Sequence, residues 1–233
     1  PRAWVRPLWP IASRALRCAA SDLAAMGAEP LGFTLALTLP AADENWLEKF
    51  SQGLLQTAQQ LQCPLIGGDT TRGSLCITVQ VHGSIPSGKA LRRSGAKVGD
   101  AVWVSGTLGD GAAALALIEN KIAVSQEAEN YLLQRFYHPE IDFSLGVQLR
   151  GIASSCIDVS DGLLADLGHI CSASGVGACI ELEKLPIALE WRSSVSEQQA
   201  QHWALTGGDD YRLCFTASPQ HATVLQSVHG VTC

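Results

Sequence analysis

Ile157-Asp158-Val159-Ser160-Asp161-Gly162-Leu163 is the stretch on which the reading of this chain turns. Apolar residues lead into it as a strand would, and a helical pattern runs from Leu163 to about Ser174. Between them lie two carboxylates three residues apart, beside a glycine. In a turn, that spacing lets two oxygens aim at one ion, while the following helix N-terminus favours an anion nearby. The same residues also suit an ordinary helix start, with Ser160 or Asp161 accepting backbone N–H bonds. Both readings stand at this level. A calcium loop of the EF-hand type is excluded, because its glycine belongs one position later and no glutamate closes the loop.

A second segment repeats the theme: Gly67-Gly68-Asp69-Thr70-Thr71-Arg72-Gly73. Two glycines let the backbone approach a ligand, and the threonines add hydroxyls. It is read as a turn that a short strand, residues 64–66, runs into. Gly207-Gly208-Asp209-Asp210-Tyr211 is a third glycine–acid segment, where two adjacent acids also suit a solvated turn. Hard oxygen ligands of this kind fit Mg²⁺ carried by phosphates, not zinc or a redox metal.

Working outward, a helix ends near Met26 with Gly27 as its stop, and a two-faced strand spans residues 33–39. Asp43 caps a helix whose apolar stripe is Trp46, Leu47, Phe50, Leu54, Ala58 and Leu61. Further strands are predicted at residues 75–85, 101–105, 178–182 and 211–216, with an Ala/Leu-rich helix after Gly111 and another over residues 131–136. The opening, residues 1–17, holds three prolines, two tryptophans and four arginines and shows no clean period. The sum is an α+β chain in two pieces, residues 1–97 and 98–233. Gly106, Gly109 and Gly111 lack dinucleotide-fold spacing.

With 233 residues, 47% of them hydrophobic and 16% charged, the chain can bury a core without staples. A net charge of −6 argues against nucleic acid as a partner, and no apolar run is long enough to span a membrane. Arg72, Lys89, Arg92, Arg93 and Lys97 nevertheless crowd five of the sixteen Lys and Arg residues into one stretch, either a solvated loop or a phosphate-facing one. The eight cysteines show no zinc rhythm and no C-x-x-C pair, which suits a reduced, cytoplasmic protein. The six histidines have no partner spacing and are read as structural or surface residues.

Taken in order, Ser21-Asp22-Leu23-Ala24-Ala25-Met26-Gly27-Ala28, Gly67-Gly68-Asp69-Thr70, Arg93-Ser94-Gly95, Asp158-Val159-Ser160-Asp161-Gly162-Leu163 and Gly208-Asp209-Asp210-Tyr211 resemble the thiamine-monophosphate kinase family. That family lies within the aminoimidazole-ribonucleotide-synthetase-like superfamily. The resemblance implies an N-terminal α/β domain whose sheet closes a barrel across a homodimer, and a C-terminal α+β domain. It implies ATP as co-substrate, Mg²⁺, thiamine monophosphate as acceptor and direct in-line phosphoryl transfer to give thiamine diphosphate. Carried over by motif, Asp22, Asp69, Asp158 and Asp161 are expected to bind metal. Gly68, Asp69, Arg93 and Ser160 are expected to meet ATP, and Asp209, where the family usually has Glu, to meet the thiamine substrate. No acid–base residue is expected. The family's Gly-Asp-Asp and Ser-Thr-Asp segments and its C-terminal aromatic contact have no counterpart, so the chain reads as truncated at both ends. The alternatives are a non-catalytic relative that binds nucleotide or dimerises, or a superfamily kinase or synthetase with another small substrate.

Overall fold

A computed structural model describes residues 9–233. Seven strands are described: β1 (Glu29–Leu39), β2 (Leu65–Arg72), β3 (Cys76–Ser84), β4 (Ala101–Ser105), β5 (Ala153–Val159), β6 (Arg212–Ala217) and β7 (Val231–Thr232). The helices are α1 (Trp9–Ala25), α2 (Glu44–Gln60), α3 (Asp110–Ile118), α4 (Gln126–Tyr137), α5 (Phe143–Gln148), α6 (Leu163–Ser174), α7 (Leu189–Arg192), α8 (Glu197–Thr206) and α9 (Ala222–Gln226). The strands form two open sheets, β2-β1-β3 and β5-β6-β4-β7, and the fold is mixed α+β. Neither sheet closes on itself.

In the first sheet β1 is central, parallel to β2 and antiparallel to β3. Its alternate residues Phe33, Leu37 and Leu39 turn inward onto Ala12, Leu16 and Ala20 of α1 and Phe50, Leu54 and Ala58 of α2. Burying Phe50 and Leu54 contributes about 1.5–3 kcal/mol each relative to leaving them in water. Asp43 starts α2 as expected, its carboxylate accepting the Trp46 N–H at 3.0 Å. The second sheet is antiparallel at every pairing. Trp103 and Phe215 on it pack against Leu145 and Leu149 and against Ala24 and Ala25 of α1. Helix α1 therefore lends one side to each sheet.

Three sequence expectations are corrected. From Trp9 the opening is not irregular but the start of α1, while residues 1–8 lie outside the described residues. The Gly67–Gly73 segment is not a turn after a short strand. β2 continues through it to Arg72, pairing Gly67–Arg72 with Thr34–Leu39. Every residue of β2 is exposed, so it carries no buried alternation that would betray a strand. Gly68 makes the pairing possible: at φ +151° a Cβ there would stand 2.0 Å from the Leu35 carbonyl oxygen.

No strand forms over residues 178–182. The Arg92 carbonyl accepts the Cys156 N–H on the outer side of β5, which engages that edge of the sheet. Ile180 packs instead into the core beneath α6. Helix α5 escaped the sequence reading altogether. Among the described residues no helix is long and apolar enough to cross a membrane.

Candidate functional site

The end of β5 meets α1 at a single bond. Ser21 Oγ donates to Asp158 Oδ2 at 2.7 Å, between side chains that are both buried. Burial pushes the Asp158 carboxyl upward; the Ser21 bond opposes this, and the charge of Asp22 adds to the rise. Asp22 and Asp158 thus feel each other across the junction of helix and strand, although Asp22 itself is exposed. Asp69 lies on exposed β2, where its carboxylate accepts its neighbour Thr70's N–H at 2.8 Å. Asp161 is exposed on the 160–162 turn. No group of three or more His, Cys, Asp or Glu among the described residues is placed to hold a metal ion. The structure therefore brings Asp22 and Asp158 together and leaves Asp69 and Asp161 on separate elements.

The backbone amides of that turn are not free for an outside anion. Asp166, on the first turns of α6, folds its Oδ2 back to accept the N–H groups of Ser160, Asp161 and Gly162 at 3.0, 3.0 and 3.1 Å. Burial pushes its carboxyl up, while the three amides pull it down. Nothing in the Asp158–Gly162 pattern betrays Asp166. The usable signal is an aspartate at helical spacing after a glycine turn, able to reach the N–H groups a helix start leaves unpaired.

The 207–211 segment lies against the same turn. The Asp209 N–H donates to the Ser160 carbonyl at 2.9 Å, and the Tyr211 N–H to the Val159 carbonyl at 2.8 Å. Asp209 and Tyr211 both adopt left-handed backbone, φ +70° and +51°, a conformation uncommon for residues other than glycine. The Asp209 carboxylate accepts the Tyr211 hydroxyl at 2.9 Å and pairs with Arg14 at 2.7 Å. Arg14 in turn lies over the Phe136 ring, 4.0 Å from its centre. Asp209, expected to meet substrate, is thus engaged by α1.

The two adjacent acids are not a solvated turn, because Asp210 is fully buried. Its Oδ2 accepts the Gly109 N–H at 2.7 Å and its Oδ1 the Gly111 N–H at 2.9 Å. Burial, then the charge of Asp110, pushes its carboxyl up to about 7. Asp110, equally buried, accepts from Thr107 Oγ1 (2.7 Å), Tyr131 OH (2.9 Å), Arg135 Nε (3.1 Å) and Trp191 Nε1 (2.7 Å). Neither acid was singled out as a site residue in the sequence reading, since no spacing rule ties residue 110 to residue 210.

Arg93 is exposed on a loop fastened to the rest of the chain by its backbone. Ser174 Oγ receives the Gly95 and Ala96 N–H groups at 3.1 Å each and donates to the Arg93 carbonyl at 3.4 Å. The guanidinium stays in solvent, beside the sheet that carries Asp158. A cavity of about 350 Å³ lies elsewhere, lined by Val102, Leu167, Ile170, Ile180 and Leu185 among others. None of the sequence-predicted site residues lines it.

Two sheets sharing one helix, with glycine–acid turns gathered between them, match a known class. The chain belongs to the AIR synthase related proteins, whose N-terminal domain matches residues 3–85 and C-terminal domain residues 97–233. Its relatives include thiamine-monophosphate kinases. That of Salmonella typhimurium is 52% identical over 207 residues, covering 88% of this chain and 64% of its own length. The crystal structure of thiamine-monophosphate kinase from Stenotrophomonas maltophilia K279a is 43% identical, with a TM-score of 0.92 over 97% of this chain and 74% of that one. A solved complex of AaThiL with AMPPCP and TMP is 29% identical, with a TM-score of 0.89 over 98% of this chain and 74% of that one. The chain spans about 64% of the Salmonella relative's length.

Proposed function

We propose that this chain carries the nucleotide, metal and acceptor sites of an ATP-dependent thiamine-monophosphate kinase. The observation that carries the reading is the meeting of three segments at one place. Ser21 on α1 bonds Asp158 at the end of β5, and the 207–211 segment is tied by two backbone bonds to Val159 and Ser160. The names of the relatives, and a neighbour solved with AMPPCP and TMP, support ATP and thiamine monophosphate as the substrates.

The donor set fits Mg²⁺. An ion of that kind takes one or two carboxylates plus substrate phosphates and waters, so a closed protein cage is not required. Asp22 and Asp158 are the pair for it: hard oxygens close enough for one to raise the other's pKa. Mg²⁺ held there would neutralise charge on the β- and γ-phosphate oxygens as the phosphoryl group moves. Ser21 fixes the Asp158 carboxylate through Oδ2, which leaves its other oxygen to point at a ligand. Asp69 and Asp161 are assigned to further ions, Gly68, Asp69, Arg93 and Ser160 to ATP, and Asp209 to the thiamine side. Phosphoryl transfer between two anionic substrates asks for positioning and screening, not for an acid–base residue. The terminal phosphoryl of ATP passes to the phosphate of thiamine monophosphate, leaving ADP and thiamine diphosphate.

Two units meeting near residue 97, a homodimer and a cytoplasmic setting belong to the same reading. The exposed β2, with Leu65 and Ile66 each more than two-fifths exposed, and the similarly exposed Leu75 just before β3 support a second copy closing a barrel against the first sheet. All eight cysteines are unpaired, which suits a reducing compartment, and the charge of −6 speaks against nucleic acid.

The test is product formation from labelled ATP, thiamine monophosphate and Mg²⁺. No labelled thiamine diphosphate from a version extended to the relatives' length refutes the reading. Product from that version but not from this chain assigns the missing machinery to the added residues.

A further inference from the structure

We infer that Asp210 is a positioning residue for the acceptor side of the site: its buried carboxylate staples the start of α3 to the 207–211 segment and so sets where Asp209 faces. This rests on the kinase reading for its functional meaning, though not for its geometry.

Both carboxylate oxygens of Asp210 are used on backbone, one on Gly109 and one on Gly111. Its two sequence neighbours carry left-handed backbone and bond to the Ser160 and Val159 carbonyls. One residue therefore joins three segments: the first turn of α3, the 158–162 turn and the loop bearing Asp209. The fit leaves no slack. A Cβ on Gly111 would stand 2.4 Å from the Gly208 carbonyl oxygen, and one on Gly208 would stand 2.4 Å from that of Ser160. Backbone that close, in a conformation unfavourable to Asp209 and Tyr211, persists only where the surroundings over-determine it. The central buried group with two bonds to an otherwise unpaired helix start is Asp210.

Asp210 has no exposed atom to offer a substrate, so it acts through Asp209. Asp209 holds the Tyr211 hydroxyl and Arg14, and its carboxylate is the exposed end of the arrangement. Releasing the staple lets the 207–211 loop relax and swings Asp209 away from its present direction. Asp22 and Asp158 sit on α1 and β5, which are joined by their own Ser21 bond, and the loop reaches the 158–162 turn only through the Val159 and Ser160 carbonyls, so the nucleotide side is disturbed less. The prediction is therefore asymmetric between acceptor and nucleotide.

Asp210→Asn keeps the size but can accept at one oxygen only, so one of the two glycine amides loses its partner. Two readouts are made on this chain. The first is the amide resonances of Gly109 and Gly111, with labelled glycine, followed over pH. The groups facing Asp210 and its neighbour are Asp110 on α3, Tyr131 and Arg135 on α4 and Arg212 on β6. Asp210 alone accepts from both amides, so the two signals should move together in the parent and stop doing so in Asp210→Asn. The second is calorimetric affinity for thiamine monophosphate and, separately, for ATP with Mg²⁺.

The expected result is coupled movement of the two signals, with acceptor affinity lowered about tenfold or more and nucleotide affinity lowered clearly less. Equal loss for both ligands, or none for either, overturns the proposal. If the parent binds neither ligand, the kinase reading fails on its own account, and the amide signals still decide the staple. Should Asp210→Asn not fold, independent or absent titration of the two parent amides is enough to overturn it.

Discussion

Asp110→Ala removes the acceptor at the centre of the buried polar network between α3, α4 and α7, and its cost can be worked from the bonds it breaks. Arg135, itself largely buried, loses its 3.1 Å partner. Breaking a buried ion pair from one side costs about 3–5 kcal/mol. Glu140 remains 3.7 Å from Arg135, but it is mostly exposed and recovers only a small part. Trp191 Nε1 loses its acceptor in a side chain with no exposed surface, a penalty of about 1–3 kcal/mol. Against this, the charge of Asp110 is one cause of the raised Asp210 pKa, so its removal relieves part of that repulsion. The balance is a loss of about 4 kcal/mol, or roughly 10 °C in melting temperature for a chain of this size. Urea unfolding followed by circular dichroism measures it. Asp110→Asn should cost less, since one acceptor oxygen remains. A loss below about 1 kcal/mol with an unchanged cooperative slope would refute the reasoning, because the network would then be solvated in effect.

Three other outcomes are expected. Asp210 holds its proton up to about pH 7 when folded, while an unfolded aspartate releases it near 3.9, so stability falls as pH rises through 7 and is recovered on acidification toward that lower value. The raised Asp158 and Asp166 act in the same direction, whereas the burial-lowered His138 acts oppositely below about pH 6.5. Melting temperatures across neutrality should show the decline, and Asp210→Asn should flatten it; parallel slopes would contradict the assignment. Asp158→Asn should abolish Mg²⁺-dependent ATP binding by calorimetry, while Ser21→Ala weakens it by about 1.5–3 kcal/mol through loss of a charge-assisted bond, and unchanged titrations would separate both residues from the site. Gly68→Val should detach β2 from β1 at a cost of about 3 kcal/mol or more, seen as lost hydrogen-exchange protection at Thr34–Leu39.

The elements that could be read from sequence were those with one wet face and one dry face. β1 and α2 alternate or recur with a clear period, and α6 begins where a strand-turn-helix pattern places it. β2 could not be read as a strand through its glycines, because a strand exposed along its whole length leaves no pattern. Residues 178–182 have the composition of a strand, yet Ile180 packs into the core beneath α6 and no strand forms. The site divides the same way. Glycine–acid turns advertise themselves by local chemistry, so Asp158, Asp161 and Asp209 were visible. The residues behind them are harder to see: Asp210 acts on backbone 101 and 99 residues away, where no local rule reaches, while Asp166 reaches the 160–162 amides from the first turns of the next helix.

Because α1 packs against both sheets, the first described element of the chain depends on some of the last. Its early residues wait for α2, its final turn waits for Leu145, Trp103 and Phe215, and Ser21 finds its partner 137 residues later. During synthesis this helix emerges before the elements that complete it and is finished late, since chains grow at about 5–20 residues per second. Between those moments it is an apolar rod with two uncovered sides, the period in which a chaperone would bind and in which a slowed ribosome would do most harm.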